Sequence, residues 1–177
     1  TPLAVDNARP FPLLANRAIH VAVQLVPVGG GASRNALVSV PGGSRLIALV
    51  SRAGRWALVE DVVMRHLDGL FSGHTVTGRC LFRVTRDGTL DIDEEQAGDL
   101  LSEIEQELSS REHGQPVRLE VGEGADVTLV DWLTRRMGLD AEEVVAVPGP
   151  LDLTWLFGLG DKLTSATLRD TPLPVVV

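Results

Sequence analysis

The chain has 177 residues, 44% of them hydrophobic and 23% charged, the proportions of one folded domain and not of a disordered segment. A net charge of −8 argues against a surface built to hold nucleic acid or another polyanion. The single cysteine, Cys80, excludes an internal disulfide and a multi-cysteine zinc site.

No apolar run approaches the ~18–20 residues that span a bilayer. Thr1-Pro2-Leu3 lacks the charged region and apolar core of a signal peptide. The chain has no initiator Met, and Pro172-Leu173-Pro174-Val175-Val176-Val177 ends it without a cap or a charge. These ends read as those of a soluble, cytoplasmic piece of something longer.

Three prolines (Pro2, Pro10, Pro12) make residues 1–18 an extended lead-in. Ile19–Val26 is rich in β-branched residues and of strand length. After Gly29-Gly30-Gly31 come Ala36–Val40 and Leu46–Val50, two strand-like runs separated by Pro41-Gly42-Gly43-Ser44, the composition of a hairpin turn. Val59, Val62, Val63, Leu67 and Leu70 then follow a helical stripe, with Glu60 and Asp61 in its first turn and Gly69 and Gly73 as candidate stops. Val76, Gly78, Cys80, Phe82 and Val84 alternate with Thr77, Arg79, Leu81, Arg83 and Thr85, which predicts a strand with one buried and one largely wet face.

Ala97, Leu100, Leu101, Ile104 and Leu108 mark a second helix, with Asp91, Asp93, Glu94 and Glu95 at its start and Gly114 as its stop. Pro116–Val121 is a short strand. Leu129, Val130, Leu133 and Met137 define a third helix with Asp126 or Thr128 as cap and Gly138 as stop. Val144–Val147 is the last strand, and a helical turn over Asp152–Phe157 precedes a linker over 158–177. About six strands and three helices, with hairpins and without a domain break, predict an α+β fold built on a mixed, largely antiparallel sheet.

Motifs that carry chemistry are scarce. Lys162 is the one lysine, and Gly158-Leu159-Gly160-Asp161-Lys162 lacks the spacing of a phosphate-binding loop. The acidic cluster at 91–95 is accounted for by a helix start better than by a hard cation. His20, His66, His74 and His113 have no sequence partner in a His-x-Lys or zinc-binding arrangement. Cys80 falls on the buried strand face and reads as a small apolar filler. Arg79, Arg83 and Arg86 suit an anion or an acidic partner surface, or pairing with acids of the following helix, and the paired or solvated reading is the simpler. No catalytic, cofactor-binding or metal-ligating residue is assigned.

The chain nevertheless resembles a known family. Thr1–Asp6 and Arg9–Asn16 are similar to the opening of the middle (head) domain of bacterial type-one polyphosphate kinases. The resemblance continues through Leu58–Val63, His66–Gly73, Phe82–Asp87, Leu90–Glu95 and Pro116–Glu120, and closes with Val147–Leu153. It departs at Ala8-Arg9, where the family more often has His before Pro, and in the Gly29–Ser33 loop.

The resemblance implies a parent enzyme that reversibly moves the terminal phosphate of ATP onto inorganic polyphosphate, with Mg²⁺ and a phosphohistidine intermediate. It implies catalytic groups in other domains, so that this chain alone is inactive, takes no cofactor and serves as a non-catalytic dimerisation domain. It also implies a fold similar to phosphohistidine phosphatases and domain limits of 1–18, 19–157 and 158–177, the last leading to a C-terminal catalytic domain. The expected partners are the other domains of the same chain and a second copy. The expected location is cytoplasmic, with peripheral membrane association of the parent left open. The alternative is a phosphate-handling or phosphatase-like module with its own anion site. Phe11 and the Val175-Val176-Val177 tail are the expected contact regions.

Overall fold

The computed structural model describes residues 3–5, 11–43, 45–48, 55–87 and 114–162. Its strands in chain order are β1 (Leu3–Val5), β2 (Ile19–Pro27), β3 (Arg34–Ser39), β4 (Leu46–Ala48), β5 (Trp56–Leu58), β6 (His74–Arg86), β7 (Pro116–Gly122) and β8 (Val144–Val147). Its helices are α1 (Val59–Arg65), α2 (Leu67–Leu70), α3 (Val127–Met137) and α4 (Trp155–Lys162). Six strands form one sheet in the order β1-β3-β2-β6-β7-β8, and β4 and β5 form a second, two-stranded sheet. Every pairing is antiparallel except β7 with β8. The fold is α+β with a mixed sheet, as the element pattern predicts.

Two apolar layers sandwich this sheet. On one face Ala22, Leu37, Cys80, Phe82, Val84, Leu119 and Val121 meet Leu129, Leu133 and Met137 of α3. On the other, Val21, Val23, Leu25, Ala36 and Val38 meet Val59, Val63 and Leu67 of α1 and α2. β2 lies between β3 and β6 and contributes to both layers, so its sequence is mostly apolar, interrupted by His20 and Gln24, and not an alternation.

β6 shows the predicted alternation from Gly78 to Val84, but its second face is not uniformly wet. Arg79 is exposed, whereas Leu81 and Arg83 are half-buried, Leu81 under the α1 layer. Near the start of β6 the ladder slips. Gln24 faces Gly78 while Leu25 faces Val76, which leaves Thr77 as an extra residue and turns Val76 to the opposite layer.

The expected hairpin between 36–40 and 46–50 does not form. Both edges of β3 are taken, by β2 and by β1, so β4 pairs with β5 instead. The lead-in is therefore more than a loop, since Leu3–Val5 supplies the outermost strand. The first helix is split at His66, whose N–H is shared between the carbonyls of Val62 and Val63 at 3.2 and 3.1 Å. Gly73, at φ 77°, follows the second piece.

α3 starts on the Asp126 carboxylate, which accepts from the N–H groups of Thr128 and Leu129 at 2.9 and 3.2 Å. It stops at Gly138, in the left-handed region at φ 68°. The last helix runs on to Lys162, past the predicted end of the turn at Phe157, so the Gly158–Lys162 segment is helical and not a phosphate loop. The helix expected over 97–108, the acidic run at 91–95, His113 and residues 163–177 lie outside the described residues.

Candidate functional site: an arginine and carboxylate network

The three arginines singled out from the sequence go to three different places. Arg79 stays exposed, its guanidinium 3.5 Å from the Met64 carbonyl. Arg86 is buried and donates to the carbonyls of Leu14 and Gly114 at 2.9 and 2.8 Å, while its backbone N–H donates to Asn16 Oδ1 at 3.0 Å. It fastens the lead-in to the end of β6, and burial lowers its pKa below the ordinary arginine value.

Arg83 enters a network. It faces Glu120 across the β6–β7 register, and its Nε donates to Glu120 Oε2 at 2.6 Å. Arg118 approaches the other oxygen of Glu120 at 3.3 Å. Among the described residues the pairing partner is on the neighbouring strand; the following helix lies outside them.

The network continues through residues that the sequence reading passed over. Arg45, just ahead of β4, ion-pairs with Glu60 of α1, whose side chain is 2% exposed. Its Nη1 reaches the Asp152 carboxylate at 2.7 Å and donates to the Asp152 carbonyl at 2.8 Å. Asp152 also lies 3.9 Å from Arg83. Glu60 thus does more than complement a helix dipole, because it anchors the guanidinium that ties α1 to the 148–154 segment. These contacts span 15 and 107 residues of sequence, so no local spacing announces them. Only Arg83 with Glu120 follows from strand register.

The network sets the protonation of Asp152. Burial works against ionisation, but the Thr154 backbone N–H at 3.0 Å, the Thr154 hydroxyl at 2.9 Å and the Arg45 charge outweigh it, so the carboxyl sits below its usual range. No group of three or more His, Cys, Asp or Glu side chains among the described residues is arranged to hold a metal ion. Glu60, Glu120 and Asp152, the carboxylates of the network, all face arginine. The described residues therefore do not fit a Mg²⁺ site.

His20, His66 and His74, the histidines among the described residues, do not converge either. His20 is buried, stacked on Phe82 at 5.6 Å between ring centroids, with Nδ1 3.1 Å from the Ala18 carbonyl. Burial lowers its pKa, against the hydrogen bond to Ala18. His66 is exposed and His74 half-buried, with His74 Nδ1 3.3 Å from the Ser72 carbonyl. Cys80 is fully buried, and burial, helped by the Asp126 charge, pushes its thiol up to about 12. Phe11 is half-buried and packs edge-on against Trp132 at 5.6 Å, so it belongs to the core and not to a free contact surface.

Fold and site together define an α+β domain with apolar layers on both faces of a mixed sheet and an internally paired charge network. A family model described as the polyphosphate kinase middle domain matches residues 1–159, and the chain belongs to that family. A polyphosphate kinase from Streptomyces coelicolor is 42% identical over 162 residues, which cover 89% of this chain and 21% of that relative. One from Halalkalibacterium halodurans is 40% identical over 168 residues, 92% of this chain and 24% of the relative. The chain thus spans between a fifth and a quarter of these relatives. The crystal structure of polyphosphate kinase from Porphyromonas gingivalis shares the fold, with a TM-score of 0.67 at 19% identity over 99% of this chain and 25% of that one.

Proposed function

We propose that this chain is the non-catalytic middle domain of a polyphosphate kinase, holding the parent enzyme's assembly together while other domains transfer phosphate. The parent reaction is reversible transfer of the terminal phosphate of ATP to inorganic polyphosphate through a phosphohistidine. Its ATP and Mg²⁺ are held by those other domains. The observation that carries the reading is the charge network. Arg45, Arg83, Glu60, Glu120 and Asp152 pair with one another across five segments, an arrangement that locks geometry and leaves these groups no role as acid, base or nucleophile.

A direct test measures the 177-residue chain alone for polyphosphate synthesis from ATP and for phosphohistidine hydrolysis, beside the parent enzyme. No turnover by the chain and turnover by the parent are expected. Turnover by the chain in either assay overturns the reading and favours the phosphatase-like alternative. Light scattering on the same samples is expected to show self-association of the parent. A monomeric parent would remove the assembly role.

A further inference from the structure

One corner of the α1-side sheet face is polar. Arg83 and Thr85 of β6 lie opposite Glu120 and Arg118 of β7 in the ladder, and Asp152, Thr154 and Arg17 close around them. Together these seven residues line a cavity of about 460 Å³. All seven carry a charge or a hydroxyl, so the space offers hydrogen-bonding groups to a small hydrated ion.

Among the described residues three guanidinium groups line this cavity against two carboxylates, a local positive excess on a molecule whose total charge is −8. The carboxylates act on particular arginines. The two oxygens of Glu120 hold Arg83 and Arg118 side by side, and Arg118 remains 48% exposed beyond that contact. Arg17 is exposed and has φ 59°, which makes it the one non-glycine residue with positive φ among the described residues. Its N–H donates to the Val84 carbonyl at 2.8 Å, fixing the backbone in that disfavoured region. An arginine kept where glycine would sit more easily points to a role for its side chain.

We propose that Arg17, Arg118 and the Thr85 hydroxyl form a binding site for a phosphoryl oxyanion, with Arg83 and Glu120 as its positioning pair. Guanidinium forks match phosphate oxygens in pairs, and the same chemistry is offered by free phosphate and by a segment of a phosphate chain. The site shares Arg83 and Glu120 with the network behind the assembly reading, whereas Arg17 and Arg118, the residues tested, are not among the five that carry it.

The test titrates the 177-residue chain with inorganic phosphate and, separately, with a polyphosphate of defined length, by calorimetry at low salt. Arg17→Gly is the informative variant, because it removes the charge and relieves the backbone at once. Wild type is expected to bind saturably, and Arg17→Gly and Arg118→Gln each to bind about tenfold more weakly. Arg17→Gly should unfold at the same or a higher temperature than wild type, so its weaker binding cannot be assigned to misfolding. Arg65→Gln, on α1 outside the cavity, should bind as wild type. Tighter binding of the chain than of free phosphate at equal phosphoryl concentration names the polymer as ligand, and equal binding names the single group. Absence of saturable binding to either, or unchanged binding in both cavity variants, overturns the site. Light scattering on the same variants reports the assembly reading independently.

Discussion

Gly78 and Asp126 meet where β6 passes under the start of α3. A Cβ placed on Gly78 would lie 3.0 Å from Asp126 Oδ2 and 3.1 Å from its carboxyl carbon. That carboxylate cannot retreat freely, because it caps α3 through Thr128 and Leu129. Gly78→Ala is expected to cost about 1 kcal/mol, the worth of an N-cap. Asp126→Ala should cost about as much, and the double variant little more than either alone. Denaturant melts of the four proteins check this, and full additivity would mean that the glycine serves something other than the cap.

The pair of Arg45 and Glu60 carries a larger consequence. Side chains only 9% and 2% exposed make the pair costly to break, and with Asp152 still on Arg45 Glu60→Ala should destabilise by about 3 kcal/mol, the lower end for a buried pair. Replacing both partners by apolar residues of similar volume should restore much of that loss. Recovery of nothing in the double variant would show that Arg45 acts through Asp152 alone.

Acid should weaken the fold in two separate windows. His20 has a folded pKa below its unfolded value, so the unfolded chain takes up a proton first. The His20 contribution is therefore complete above about pH 6.5 and declines as pH falls toward the lowered folded value. Asp152 is depressed in the same direction, and its contribution is complete above about pH 4 and lost below it. His20→Gln should flatten the first limb of a stability–pH curve and Asp152→Asn the second. A single limb unchanged by either substitution would assign the acid sensitivity to other groups.

At the scale of elements, legibility followed whether a segment's periodicity had a single cause. β6 alternates because α3 covers one face throughout, so Cys80, Phe82 and Val84 could be read as core. α3 was legible at both ends, since Gly138 adopts a positive φ that most residues avoid. The pairing of 36–40 with 46–50 was misread because a Pro-Gly-Gly-Ser turn signals a reversal but not its destination. Strand edges are a property of the whole sheet, and β1 had already occupied the free edge of β3.

The lead-in shows the same limit. Three prolines exclude helix, but nothing local says that Phe11 will lie against Trp132 or that Arg86 will bond the Leu14 carbonyl. Phe11→Asp should therefore destabilise the domain itself by about 3 kcal/mol or more, the cost of losing a packed aromatic and adding a charge. A melt of the variant within 0.5 kcal/mol of wild type, roughly the scatter of surface substitutions, would return Phe11 to the surface.

For the whole molecule, the consequence of a two-faced sheet is cooperativity. β2 places His20 and Ala22 on the α3 side and Val21 and Val23 on the α1 side, and β6 contributes Phe82 to one layer and Leu81 to the other. Neither layer can separate without exposing strands that the other still needs, so the domain should open as one unit. Cys80 reports this directly. It is fully buried at the middle of β6, with a thiol pushed up to about 12, whereas an unfolded cysteine ionises near about 8.5. Alkylation at pH 8 in native buffer should proceed only through global opening, and the free energy from the labelling rate should equal that from denaturant melts. Glu60 belongs to α1, on the face of the sheet opposite the α3 layer that holds Cys80. Yet Glu60→Ala should accelerate labelling by the factor its loss of stability dictates. Acceleration by Gly78→Ala but not by Glu60→Ala would instead show that the α3 layer opens on its own.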